Sequence, residues 1–274
     1  MPLIKFEDYT LHYCVEGFGP DVLMLHGWAS SHRMWERCLK RLALSGFRAW
    51  ALDLPGNGQS SAPVLEDWYT IPNLTSAVQD FVQRLGIQHA MLVGHSMGGA
   101  ISLELTDRCP QLVRALVLAA PVVSGQIGLA LHLLFDSPPG RRLLGLSQRH
   151  NTLARLGELS TFGLSWLRGG LGTALRRDVQ DLSRTAPQSA IGCLHAVMNF
   201  DFTDRLATIH VPTLVIVGMR DATLPPSEGL LASAGIPGAR LVKMQGVAHH
   251  PMDERPEEFD RLLVEFLKDN LMTP

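Results

Sequence analysis

Short apolar runs recur at 22–25, 48–52, 91–93 and 115–120, and between them lie longer mixed segments at 32–45, 73–85 and 97–109. Brief, continuously apolar runs suit strands buried on both faces, and segments of a dozen residues suit helices that return the chain to begin the next parallel strand. Residues 4–15 alternate as an antiparallel hairpin at the sheet edge would. The rhythm returns with apolar runs at 213–217 and 240–244, a helical pattern near 226–234, and a closing helix over 256–268 that sets Phe259, Leu262, Leu263 and Phe266 on one face. Residues 121–205 differ: they hold no convincing strand, many Leu and Gly residues and several short helical patterns. The pattern therefore predicts an α/β core made of residues 1–120 and 206–274, interrupted by a helical cap at 121–205.

Composition narrows this picture. Of 274 residues 46% are hydrophobic and 18% charged, which excludes disordered and fibrous classes. A formal charge of -2 gives the whole chain no attraction for nucleic acid. Residues 115–135 contain no Asp, Glu, Lys or Arg, enough length to span a bilayer, but Pro121 and the polar Ser124-Gly125-Gln126 interrupt them. The reading is a buried strand followed by a separate apolar helix near 127–135, with no transmembrane segment. Lys5, Glu7 and Asp8 stand where a signal peptide would be apolar, so a cytoplasmic protein is expected. Cys14, Cys38, Cys109 and Cys193 form no CxxC pair and read as reduced thiols. Eleven histidines include no HExxH, and neither a dinucleotide fingerprint nor a P-loop is present, so no metal or cofactor is expected.

The chemistry concentrates where the apolar run at 91–93 enters Gly94-His95-Ser96-Met97-Gly98-Gly99 and then a helical pattern. G-x-S-x-G at a strand-to-helix turn holds its serine in a strained conformation, and glycines two before and two after remove side chains that would collide there. A serine hydroxyl needs a base within hydrogen-bond reach, and the base an acid that fixes its tautomer. His249 and His250 follow the last strand; Asp221 follows the 213–217 strand, with Asp201 and Asp204 as weaker alternatives. Asp53, in Asp53-Leu54-Pro55-Gly56-Asn57-Gly58, reads as a structural carboxylate serving backbone N–H groups.

With Leu25-His26-Gly27-Trp28, Asp53 to Ser60, Gly94 to Gly99, Gly218-Met219-Arg220-Asp221 and Gly246 to Pro256, nearly the whole chain resembles the α/β-hydrolase superfamily. It is similar to the cap-bearing branch of small esterases, carbon-carbon bond hydrolases, enol-lactonases and cofactor-free haloperoxidases. The resemblance implies a mostly parallel eight-stranded sheet. In that family's pattern the catalytic histidine is followed by one residue and then often proline, which selects His249 as base and leaves His250 beside the pocket. Ser96 is then the nucleophile, Asp221 the acid, and the backbone N–H groups of Trp28 and Met97 the oxyanion donors. A serine at the elbow argues against dehalogenation and epoxide opening, which use a carboxylate.

The expected activity is cleavage of a small-molecule carboxylic ester with an apolar acyl or alcohol part, through an acyl-enzyme. Carbon-carbon, enol-lactone or thioester hydrolysis can run on the same machinery, and a hydrolase-fold small-molecule receptor is the alternative of another class. His26, Leu133, Phe135, Phe162, Trp166 and His250 are candidate pocket residues, and His26 reads as a loop-fixing residue rather than a second base. Between 121 and 200 eight arginines, including Arg141, Arg142, Arg176 and Arg177, face four acids. This excess reads as a solvated basic face or as a site for an anionic group or an acidic carrier protein, as in the pimeloyl-carrier-protein methyl esterases.

Overall fold

The computed structural model describes residues 2–61, 63, 65–128, 132, 138, 139, 142 and 170–271. β1 (Leu3–Lys5) and β2 (Thr10–Glu16) form the expected edge hairpin, and β2 also runs antiparallel to β4 (Arg48–Leu52). β3 (Asp21–Leu25), β5 (Ala90–His95), β6 (Val113–Ala119), β7 (Thr213–Gly218) and β8 (Arg240–Met244) join β4 in parallel. The sheet order is β1-β2-β4-β3-β5-β6-β7-β8. This is the expected α/β architecture of eight mostly parallel strands.

The central strands are apolar throughout because helices cover both faces. Along β3, Leu23 and Leu25 enter the cluster built with Leu74, Val78 and Phe81 of α2 (Ile71–Arg84) and Ile101 of α3 (Met97–Arg108). Val22 and Met24 point to the opposite cluster, with Leu39 and Leu42 of α1 (Glu36–Leu44). That second cluster also receives Phe259, Leu263 and Phe266 of the closing helix.

Two helices start elsewhere than their apolar pattern predicts. At 32–45 the chain first makes a 3-10 turn, His32–Trp35, because Ser31 Oγ caps Arg33 N and His32 N donates to Asp53 Oδ1 at 2.6 Å. α2 begins at Ile71, where the Thr70 side chain accepts from Asn73 N and Pro72 occupies the first turn.

From the 121–205 segment the structure describes α4 (Gly170–Arg184) and α5 (Pro187–Met198); most of the expected 127–135 helix lies outside the described residues. Among the described residues the remaining α-helices are α6 (Ser227–Gly235), α7 (Pro251–Glu254) and α8 (Pro256–Asp269). α5 is tied to the loop after β3 by Trp28 Nε1–H donating to Ala190 O at 2.7 Å. α4 is tied there by Asp181, which accepts from Ser31 Oγ at 2.8 Å and Arg33 Nη1 at 2.9 Å. The start of the segment is held by buried Glu228 of α6, whose Oε2 accepts from Val123 N at 2.7 Å and Ser124 N at 2.8 Å.

Candidate active site

Ser96 is the single residue between β5 and α3, with φ 54° and ψ -116°. A side chain in this left-handed region is strained, and the strain persists only where neighbours fix the backbone. Here they do: Ser96 N donates to Ala119 O at 3.1 Å, and Ser96 O accepts from Gly99 N at 2.9 Å and Val122 N at 3.2 Å. A Cβ at Gly94 would strike Gly98 O and Ser102 Oγ, and one at Gly98 would strike Leu25 O. Both glycines are thus required by the close approach of α3 to β3 and β5.

Asp221 follows β7 and His249 follows β8, so both emerge at the same sheet edge as Ser96. His249 Nδ1 and Asp221 Oδ2 lie 2.7 Å apart. The other carboxylate oxygen, Oδ1, accepts from Thr223 N at 2.8 Å and Leu224 N at 3.0 Å, which fixes Asp221 in the orientation that faces the imidazole. Since Nδ1 is engaged by the carboxylate, Nε2 is the nitrogen on the far side of the ring. His250 does not compete for Asp221; its Nε2 lies 2.9 Å from Asp178 Oδ2 on α4. Asp201 accepts from Thr203 N at 2.9 Å, and Asp204 lies in the first turn of the 3-10 turn Thr203–Thr208, so neither was brought to His249.

Ser96 and His249 open onto one cavity of about 380 Å³ with Trp28, His95 and His250. Its walls come from Leu175, Val179 and Leu182 of α4, Leu194 and Val197 of α5, and Leu224. Leu175, Val179 and Leu182 stand at i, i+4 and i+7, a helical stripe that sequence reading could have found and did not. Asp178, also on α4, adds a carboxylate to this wall. Met97 is fully buried and is not among the cavity's lining residues, but as the first residue of α3 its N–H has no intrahelical acceptor. Leu133, Phe135, Phe162 and Trp166 lie outside the described residues.

Two histidines have different roles from those a pocket would give them. His26 is fully buried and is not among the cavity's lining residues: its Nδ1 bonds Gly27 O at 2.7 Å and its Nε2 accepts from Leu54 N at 3.0 Å. The Nδ1 bond stays within the loop after β3 and the Nε2 bond joins that loop to the one after β4, so both nitrogens are engaged, which corrects its expected place in the pocket. His95, which sequence reading passed over, donates Nε2–H to His249 O at 2.8 Å. Burial, with His249 and His250 alongside, pushes its pKa well below the ordinary histidine value, so it is a neutral support for the His249 loop.

Among the described residues His12, His32 and Asp53 form the one group with metal-ligand spacing. The donors already present oppose a metal there. Asp53 accepts from His12 Nδ1 at 2.8 Å, His32 N at 2.6 Å, His32 Nδ1 at 2.9 Å and Gln59 N at 2.9 Å. Burial alone would raise the Asp53 carboxyl, but the bonds from His12 and His32 outweigh it and hold it far below the carboxylate range. Gly58 completes the loop, since a Cβ there would strike the Asp53 carboxylate. Arg177 is likewise taken, with Nη1 and Nη2 at 2.9 and 2.8 Å from the Asp253 carboxylate. Arg176 lies beside it in a groove with Arg33, Arg37 and Lys40 that is separate from the Ser96 cavity.

A family model described as alpha/beta hydrolase fold matches residues 20–256. The chain belongs to this family. Among relatives of this alpha/beta hydrolase is a pimeloyl-[acyl-carrier protein] methyl ester esterase of Yersinia enterocolitica, 30% identical over 267 residues, with 94% of this chain and 96% of that protein covered. A 2-hydroxy-6-oxo-6-phenylhexa-2,4-dienoate hydrolase of Comamonas testosteroni is 28% identical over 272 residues, covering 96% of this chain and 92% of that protein. The crystal structure of an enol-lactonase from Burkholderia xenovorans superposes with a TM-score of 0.79 at 25% identity, covering 97% of this chain and 100% of that one. Among the described residues of this alpha/beta hydrolase no helix is long and apolar enough to cross a membrane.

Proposed function

We propose that the protein is a serine hydrolase that cleaves carboxylic esters through an acyl-enzyme. The observation that carries this reading is the Asp221–His249 pair, 2.7 Å long, opening onto the same cavity as a serine held at φ 54°. Ser96 Oγ attacks the ester carbonyl while His249 Nε2 takes its proton, and Asp221 stabilises the imidazolium that forms. The tetrahedral oxyanion is met by the N–H groups of Met97 and Trp28, the first at the positive end of α3, and each such donor contributes about 2.7 to 4 kcal/mol to transition-state stabilisation. The imidazolium then protonates the leaving alkoxide, and the same base activates water to release the acid. Residues 121–205 act as a cap over the 1–120 and 206–274 core, with α4 and α5 giving the substrate its apolar surroundings.

The test is hydrolysis of p-nitrophenyl esters from acetyl to dodecanoyl by the wild type and Ser96→Ala, with a fluorophosphonate label located by mass spectrometry. Turnover that needs Ser96, with the label on that residue, is the expected result. Equal turnover by Ser96→Ala overturns it.

A further inference from the structure

Resting on the hydrolase reading, the inference concerns what the cavity admits. We propose that Asp178, clamped by His250, selects substrates by charge: the site takes apolar esters that are uncharged or carry a hydrogen-bond donor, and rejects esters whose acyl chain carries a carboxylate at its far end.

Asp178 is the only acidic side chain among the described cavity-lining residues, and no Lys or Arg is among them. Its surroundings are otherwise dominated by leucine and valine, where a charge is poorly screened. The carboxylate cannot swing away, because His250 Nε2 holds Oδ2 at 2.9 Å. His250 is itself fixed, since its N–H donates to Glu254 Oε1 at 3.1 Å and Pro251 follows it in α7. Nor is Asp178 neutralised by its chain neighbour. The Arg177 guanidinium is 3.4 Å from Asp178 Oδ1 but commits both Nη atoms at 2.8 to 2.9 Å to Asp253, so two carboxylates share one cation.

Burial acts to raise the Asp178 carboxyl, and the bond from His250 with the nearby Arg177 guanidinium outweighs it, leaving the group ionised at neutral pH. About a third of the side chain stays accessible, so it meets the ligand directly. A carboxylate has about four lone-pair sites, enough to accept a substrate hydroxyl beside His250. A second carboxylate brought into the same cavity would meet like charge and lose its own hydration.

The experiment compares kcat/KM for p-nitrophenyl hexanoate, p-nitrophenyl 6-hydroxyhexanoate and the mono-p-nitrophenyl ester of adipic acid, which match in length and differ at the far end. In the wild type the first two are expected within a few-fold of each other and the adipate monoester at least about tenfold below them. Asp178→Asn is expected to close that gap about tenfold. Wild-type turnover of the adipate monoester equal to that of the hexanoate overturns the proposal with no variant needed, and so does an unchanged ratio in folded Asp178→Asn. If none of the three esters is turned over, the hydrolase reading fails by itself. Charge preference is then read by titrating octan-1-ol and octanoate against the fluorescence of Trp28 and the other tryptophans; equal affinity for the two overturns it, and tighter alcohol binding upholds it.

Discussion

Two histidine–aspartate constellations stand at the carboxyl edge of this sheet, made of the same side chains in opposite settings. Asp53 follows β4 and binds His12 and His32; Asp221 follows β7 and binds His249. Asp53 is fully buried and accepts from two imidazoles and two backbone N–H groups, so its neighbours are locked to it and to each other. Asp221 accepts from two backbone N–H groups and one imidazole, whose far nitrogen belongs to a ring that lines the cavity. Residue type does not distinguish the two. What distinguishes them is whether the imidazole has a nitrogen directed away from the carboxylate in a place that a substrate can reach.

The comparison breaks most visibly by exchanging the loss. His249→Ala is expected to lower kcat by about ten-thousandfold or more, with the urea midpoint close to wild type, because catalysis needs the base and folding does not. Asp53→Ala is expected to do the reverse. It strands two buried imidazoles and two N–H groups, a loss of about 3 to 5 kcal/mol in stability, while kcat per folded molecule stays within about tenfold. Urea denaturation with active-site titration by fluorophosphonate separates the two. Comparable kcat losses in both variants would mean that Asp53 reaches the chemistry through the loop after β3.

A smaller effect sharpens the contrast at the start of the 121–205 segment. Glu228 serves the start of the 121–205 segment as Asp53 serves its own loop, with one buried carboxylate collecting Val123 N and Ser124 N. Glu228→Ala leaves both donors unpaired and is expected to cost about 1 to 3 kcal/mol in urea denaturation. Retention of full stability would show that water replaces the carboxylate there.

These cases also mark how far the sequence could be read. Asp53 and Ser96 were legible because part of what surrounds them is local: Gly58 must lack a Cβ five residues from Asp53, Gln59 N donates to the same carboxylate, and Gly94 and Gly98 flank Ser96 symmetrically, whereas the His12 and His32 partners of Asp53, 41 and 21 residues away, left no mark in the spacing. The strands were legible because burial on both faces leaves an unbroken apolar run, as in β5. The pairing of His250 with Asp178 joins residues 72 apart on elements with no shared pattern, and nothing in either stretch announces it. From sequence His26 reads both as a loop-fixing residue and as a pocket residue, and only the first holds. The deciding contact, with Leu54 N, comes from the neighbouring strand's loop and appears only when β3 and β4 are side by side. Short-range geometry writes itself into spacing, whereas contacts between loops of adjacent strands do not.

The smallest effect expected is a slope with pH. His95 and His26 are both buried and depressed in pKa, chiefly by burial, while an unfolded chain takes up a proton on each near pH 6.5. As pH falls through that value the unfolded state binds protons that the folded state refuses, so stability drops on the acid side. His32 has the opposite sign. Burial lowers its pKa, but the bond and charge of Asp53 outweigh this and raise it, so its contribution is full below pH 6.5 and is lost as pH rises through the raised value. The two signs can be separated at His95. His95→Gln removes one proton-refusing group, and its unfolding free energy between pH 6.5 and 5.5 is expected to fall less steeply than wild type by up to about 1.4 kcal/mol per pH unit. A pH-independent loss from the missing bond to His249 O shifts the whole curve and leaves that slope alone. Parallel curves for the two proteins would mean that the folded state protonates His95, and that the support beneath the His249 loop carries charge.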